Sequence, residues 1–403
     1  MEYHDLSLAL LDTPGHVDFA AQTEQILSVL DYAILVVSAT DGVQGYTQTL
    51  WRLLKQYNIP TFIFVNKLDA PGTDRNQIIA QLQETLSAGA IPFDWKATDD
   101  VPDDVAEEIA LQDENVLADY LDNANLADDV IKTMIANRQV FPVYFGSGLK
   151  MTGIDELLNG LEKWTKEPTY EAEFAAQVFK ISHANGERLT WMRMTGGALA
   201  TKEVILPEQK VNQLRLYNGT KYEVTPRAVA GEIVVVPGLT DTFPGQGLGA
   251  AENAQIPTIQ PVLTYAVNLQ DEEVHAVLAA MRELEDEDPL LKVSWSEQLQ
   301  EIRVQLMGTI QLEVLRQQLK DRFGLAVDFD EGGILYQETI THSVEGVGHF
   351  EPLRHYAEVH LLMEPTAPGT GLTFATDCQV DVLGNNWQHQ VLSNLGAKPN
   401  LGS

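Results

Sequence analysis

Asn66, Lys67 and Asp69 belong to an Asn-Lys-x-Asp string that closes the apolar run Phe62–Val65. A carboxylate at the end of a strand can accept two hydrogen bonds side by side. Guanine offers two such donors, N1–H and the N2 amino group, where adenine offers neither. Asn66 would bond the ring edge and the loop, and the Lys67 stem would cover the base plane. A second string, Asp12-Thr13-Pro14-Gly15-His16, closes the apolar run Leu6–Leu11. Asp12 has the chemistry to anchor a magnesium ion, Mg2+, through water. Gly15 has no side chain to keep its amide from a γ-phosphate, and His16 beside it could orient an attacking water. Either string alone also fits an ordinary turn. Together, each at the carboxyl end of an apolar run, they point to a guanine nucleotide. Ser147, Gly148 and Leu149 follow the run Pro142–Phe145 and would offer backbone amides to the guanine O6; alone this signal is weak. No Gly-x-x-x-x-Gly-Lys-[Ser/Thr] phosphate loop occurs in the 403 residues.

These strings need a scaffold. Up to about residue 168 the chain alternates short apolar strands (Leu6–Leu11, Ala33–Val37, Phe62–Val65, Pro142–Phe145) with helical patterns at Gln22–Leu30, Thr47–Gln56, Asn76–Leu86 and Ile154–Trp164. Such alternation predicts a parallel α/β sheet. Residues 172–256 lose helical periodicity and read as short strands broken by Gly, Pro and Asn, a small antiparallel β-barrel. Residues 260–335 read β-α-β-β-α-β, the ferredoxin-like split motif. From 336 to 403 strands dominate: Thr339–Val344, Ala357–Met363 and Leu372–Val382. The fold class is therefore multidomain, α/β plus β-barrel plus α+β.

The composition, 44% apolar and 21% charged, is that of a globular chain. No apolar run is long enough to span a membrane and no signal-peptide pattern is present, so a cytoplasmic location is expected. The single cysteine, Cys378, fits a reducing compartment and reads as a small buried hydrophobe. Net charge −32 repels phosphate backbones and argues against strong independent nucleic-acid binding. The acidic stretch Asp99–Asp129 carries no Lys or Arg and reads as the solvated face of helices rather than a metal site. A metal shared by His349, His355 and His360 is not expected, and Trp191, Trp295 and Trp387 are expected to pack cores.

With these residues in view, the chain resembles a translational GTPase of the elongation factor G type, and in particular the tetracycline-resistance ribosomal protection proteins. Asp12–Phe19, Ala39–Gln44, Val65–Asp69 and Phe141–Gly153 carry the likeness in the first domain. Phe179–Ile181 and Leu189–Gly197 carry it in the second, Glu285–Pro289 with Gly308–Leu315 in the third, and Gly346–Pro365 at the start of a fourth. The resemblance implies GTP and GDP as ligands with Mg2+, hydrolysis coupled to ribosome binding and release, and contacts with rRNA and ribosomal proteins. It implies that Asp12 serves the magnesium site, Gly15 the γ-phosphate and His16 the water. Asn66, Lys67, Asp69, Ser147, Gly148 and Leu149 would form the guanine pocket, with Gly148 where the family commonly has Ala.

Against that pattern the first domain reads as an incomplete P-loop GTPase domain, without phosphate loop or first switch, and the fourth as partial. The chain is thus expected to be truncated at both ends, monomeric, without a membrane partner, and inactive by itself. Two alternatives stay open: a general elongation, release or stress GTPase, and a non-enzymatic ribosome-binding module.

Overall fold

The computed structural model describes residues 2–96, 100–296, 300–334, 340–351, 356–367 and 373–397. The chain divides into two compact units, Met1–Leu335 and Tyr336–Ser403.

The first unit opens with a hairpin of β1 (Glu2–Tyr3) and β2 (Leu6–Ser7). Helix α1 (Ala20–Leu27) follows a 3-10 turn at Val17–Phe19. Then come β3 (Ala33–Ser38), α2 (Gly45–Gln56), β4 (Thr61–Asn66), α3 (Arg75–Thr85), β5 (Ala90–Pro92), α4 (Asp103–Ala110), α5 (Glu114–Asn123), α6 (Asp128–Ala136), β6 (Phe141–Phe145) and α7 (Ile154–Trp164). The four strands β3-β4-β6-β5 form one parallel sheet. β4 lies inside it, with Phe62, Ile63 and Val65 wholly buried. One face packs Phe62, Phe64 and Tyr144 against Ile109, Ile131 and Trp164, the other Ile63 and Val65 against Trp51, Ile78 and Leu82. Burial on both faces explains why β4 reads as a continuous apolar run.

The expected strand Leu6–Leu11 does not join this sheet. Only Leu6–Ser7 pairs, and residues 8–15 are irregular, with Leu10 74% exposed. An apolar run becomes a strand only where a neighbour accepts its backbone hydrogen bonds. Among the described residues nothing pairs with the outer edge of β3, whose Val36 is exposed.

The next segment is all β: β7 (Ala175–Ala184), β8 (Glu187–Gly196), β9 (Ala198–Ala200), β10 (Val204–Leu206), β11 (Gln209–Lys210), β12 (Leu214–Asn218), β13 (Lys221–Thr225), β14 (Arg227–Val229), β15 (Ile233–Pro237) and β16 (Gly247–Gly249). Six strands run antiparallel in the order β13-β12-β15-β8-β7-β16, with β9–β14 and β10–β11 as short pairs. Their buried residues share one core of Val178, Met192, Met194, Leu214, Val234 and neighbours.

After it come β17 (Leu263–Asn268), α8 (Val274–Glu287), β18 (Ser294–Ser296), β19 (Glu301–Leu306), α9 (Thr309–Phe323) and β20 (Asp328–Ile334). The antiparallel order β18-β19-β17-β20 is that of the split βαβ motif, and both helices pack on one core with Met281, Leu284, Leu315 and Leu319.

In the second unit β21 (Val344–Phe350) and β22 (Ala357–Met363) form a hairpin, followed by α10 (Asn385–Ala397). The expected strand Ala357–Met363 is present as β22, whereas residues 340–343 and 373–382 form no strand, which corrects the other two; Leu372 and Thr339 lie outside the described residues. Cys378 is exposed, as is Trp387, so neither is a core residue.

Polar contacts tie the three segments of the first unit together. Arg193 on β8 donates to the Val29 carbonyl at 2.6 Å and pairs with Asp31 at 2.7 Å. Glu24 on α1 is wholly buried, and its carboxylate accepts from the Tyr57 hydroxyl (3.1 Å), the Thr258 N–H and hydroxyl (each 2.8 Å) and the Ile259 N–H (2.9 Å). Burial, with this carboxylate beside it, pushes the Tyr57 phenol up to about 12. Removing a buried acceptor strands its donors, each at roughly 1–3 kcal/mol. We expect Glu24→Ala to lower unfolding stability in urea by about 3 kcal/mol and to speed amide exchange at Thr258 and Ile259. Unchanged exchange at both would show that the carboxylate is not their partner.

Candidate guanine-nucleotide site

β4 leaves the core at Asn66 and the chain turns at once. Lys67 adopts a left-handed conformation with φ of 63°, which costs a non-glycine residue on the order of 1 kcal/mol. Two hydrogen bonds hold it there: the Lys67 N–H donates to Asn66 Oδ1 at 2.8 Å, and the Leu68 N–H donates to the Gly146 carbonyl at 3.1 Å. Asn66 Oδ1 also accepts the Gly148 N–H at 2.9 Å, across from the loop after β6. The Gly146 N–H in turn donates to the Val65 carbonyl at 3.0 Å. The two loops are thus stapled side by side by the parallel pairing of β4 and β6 beneath them.

Asp69 extends from this staple. Its Oδ2 lies 3.0 Å from Lys150 Nζ. The Ser147 hydroxyl, and then the Lys150 ammonium, hold its carboxyl below the usual carboxylate range, so it is a firm acceptor at neutral pH. Ser147 is 2% exposed, and its N–H donates to the Thr152 carbonyl at 3.0 Å. With the Gly148 N–H on Asn66, the Leu149 N–H is the one amide of residues 147–149 without a protein partner among the described residues. A Cβ at Gly148 would lie 3.6 Å from Asn66 Oδ1, ordinary contact, so alanine fits there. Lys67 Nζ reaches toward Asp41, 4.0 Å from its Oδ2. The Ser38 and Thr40 hydroxyls hold the Asp41 carboxyl low.

Six of the expected residues, Asn66, Lys67, Asp69, Ser147, Gly148 and Leu149, therefore come together at the carboxyl ends of β4 and β6, where open parallel sheets present ligands. Asp12, Gly15 and His16 lie on no strand of the sheet. Asp12 is exposed in the irregular stretch, and the space a Gly15 side chain would take is open for 4 Å. The exposed His16 imidazole caps the turn at 17–19, its Nδ1 accepting the Asp18 N–H at 3.2 Å. Sequence reasoning missed Lys150 as the partner of Asp69, because nothing local links residues in two different loops.

His360 lies between Glu345 (2.9 Å) and Glu358 (2.7 Å), which raise its pKa, while His349 faces Glu351 at 3.6 Å. His355 lies outside the described residues. Elsewhere His183, Glu283 and Glu287 could reach a common ion, but Arg322 already bridges both glutamates at 2.9 and 2.7 Å.

Two parts of the chain match known protein families. Residues 1–167 match the elongation factor Tu GTP binding domain, and residues 258–331 match elongation factor G, domain III. The chain is 30% identical to the tetracycline resistance protein TetP of Clostridium perfringens, over 96% of this chain and 64% of that protein. It is 26% identical to TetM of Ureaplasma urealyticum, over 98% of this chain and 65% of that one. The chain thus spans just under two thirds of the length of these relatives. A crystal structure of a protein from Thermus thermophilus, 24% identical, superposes with a TM-score of 0.70 over 88% of this chain and 62% of that one. The chain thus carries translational GTPase domains like those of elongation factor G, one over residues 1–167 and one over residues 258–331.

Proposed function

We propose that the chain reads guanine nucleotides as part of a ribosome-dependent GTPase of the tetracycline-protection type. The observation that carries this reading is the pair of loops joined through Asn66, with the ionised Asp69 carboxylate beside them. Asp69 would accept from the guanine N1–H and N2 amino group, displacing the Lys150 ammonium, and the Lys67 stem would cover the base. A backbone amide of the 147–149 turn would meet O6. In such a site His16 orients the attacking water and the Gly15 amide meets the γ-phosphate. Asp12 would hold Mg2+ through water: its carboxylate is exposed, and the open space at Gly15 leaves room for a phosphate. The ion, when bound, neutralises charge on the phosphate oxygens. The domain order and the likeness to tetracycline resistance proteins support the ribosome as partner. With a net charge of −32, docking there would rest on local surfaces rather than on long-range attraction.

For the 403 residues alone we infer base recognition without hydrolysis. No phosphate-loop motif is in the sequence, and residues 8–15 stand apart from the sheet. Calorimetric titration tests this. Guanosine, GDP and GTP should bind within about tenfold of one another, adenosine should bind at least about tenfold more weakly, and Asp69→Asn should abolish the difference. Equal affinity for adenosine and guanosine would overturn the base assignment. Ribosome-stimulated phosphate release by this chain would overturn the inference of inactivity.

The Asp69 carboxyl also gives a pH test. Its folded pKa is depressed, so its contribution to stability is complete above the ordinary carboxylate range and fades as pH falls through the folded value. Guanosine affinity should therefore hold steady between about pH 5 and pH 8. Carbon-13 NMR should show the Asp69 titration move upward in Ser147→Ala and in Lys150→Ala. No movement in either variant would remove both groups as the cause.

A further inference from the structure

Lys150 occupies the carboxylate that base recognition needs. Its Nζ lies 3.0 Å from Asp69 Oδ2, beside the Ser147 hydroxyl. The other lysine of the two loops, Lys67, turns its ammonium toward Asp41, 4.0 Å away. Among the described residues Lys150 is therefore the one cation paired with Asp69. The backbone that carries it is fixed. The Ser147 N–H donates to the Thr152 carbonyl at 3.0 Å, and the Ser147 carbonyl accepts the Thr152 N–H at 3.1 Å and the Lys150 N–H at 3.2 Å. The foot of this turn has no spare room: a Cβ at Gly146 would lie 2.1 Å from the Thr152 carbonyl oxygen, and one at Gly153 2.0 Å from the Phe145 carbonyl oxygen. The tip is open. Leu149 is 92% exposed, Met151 is 70% exposed, and so is 59% of the Lys150 side chain. The ammonium can leave Asp69 by rotating its own side chain, a fast motion at an exposed position that leaves the turn unmoved.

We propose that Lys150 is a built-in competitor for the guanine donors, and that its pairing with Asp69 sets the affinity of the site. The proposal rests on the reading of Asp69 as the base-recognising carboxylate. An ammonium and the N1–H and N2 amino donors of guanine call on the same acceptor lone pairs. Guanine binding is then an exchange of partners at Asp69 rather than a gain of new bonds. Adenine brings no donor for Asp69, so the departure of Lys150 gives it nothing. Removing the ammonium therefore strengthens guanosine binding, where removing a ligand contact would weaken it. Salt screens a pair this exposed, so it strengthens the binding of uncharged guanosine to the unaltered chain and not to a chain that lacks the ammonium.

The test titrates guanosine and adenosine into the full 403-residue chain, followed through the Gly148 and Leu149 amide shifts by NMR. Lys150→Ala and Lys150→Met should bind guanosine about two- to fivefold more tightly, the range of an exposed ion pair, with adenosine unchanged. Methionine keeps an unbranched stem and serves if the alanine variant does not fold. Lys150→Arg keeps the charge and should show no gain. Raising KCl from about 0.05 M to about 0.5 M should tighten guanosine binding to the unaltered chain relative to Lys150→Met. Guanosine bound equally or more weakly by both neutral variants, with its preference over adenosine intact, would overturn the proposal and leave the base assignment standing. An equal gain for adenosine would overturn it too, since Lys150 would then only obstruct the pocket. No preference for guanosine in any of these chains would overturn the base assignment and the proposal with it.

Discussion

One side-chain oxygen, Asn66 Oδ1, organises the site. It accepts the N–H of Lys67 and the N–H of Gly148 together, at 2.8 and 2.9 Å. Each such bond contributes only about 1 kcal/mol net, yet the pair fixes two loops that would otherwise move independently at the end of the sheet. The constraint begins lower down. β4 and β6 are parallel neighbours because both are apolar on both faces and can be buried only between two layers of helices. Their shared end puts Asn66 beside Gly148, and that in turn sets Asp69 next to Ser147 and Lys150.

Charge placement adds a second constraint. The chain has 26 Lys and Arg against 58 Asp and Glu. Two of its few arginines stand at junctions between segments, Arg193 with Asp31 and Arg188 with Asp286, while Arg322 ties α9 to α8 through Glu283 and Glu287. Arg188 is also bonded to the Leu239 carbonyl and the Thr242 hydroxyl, each at 2.6 Å, so one guanidinium ties α8 to two parts of the β-rich segment. The acidic surplus of α4 and α5 faces outward around buried Ile109 and Ala110, as their amphipathic spacing requires.

What the sequence revealed was what local pattern decides. The runs around Phe62–Val65 and Pro142–Phe145, the helical spacing of Ile154–Trp164 and the order of the split βαβ motif are all visible along the chain, and the Asn-Lys-x-Asp string marked its loop. What stayed hidden depends on partners. Leu6–Leu11 has the composition of a strand, but a strand exists only with a neighbour. Val344–Phe350 contains Gly346 and Gly348 and looks a poor strand, yet it pairs along its whole length with Ala357–Met363. Asn385–Ala397 is rich in Asn and Gln, weak formers of a visible apolar stripe, and was missed as a helix. The Asp69–Lys150 pair and the approach of Asp18 to Gly308 join distant stretches, and no periodicity announces them.

The most direct measurement replaces the oxygen that the site is built around. In Asn66→Ala, the Gly148 amide should lose its exchange protection, and guanosine affinity, measured by calorimetry, should fall at least about tenfold while the parallel sheet keeps its protection. Guanosine bound as tightly as before, with the Gly148 amide free, would contradict the claim that this staple creates the guanine site.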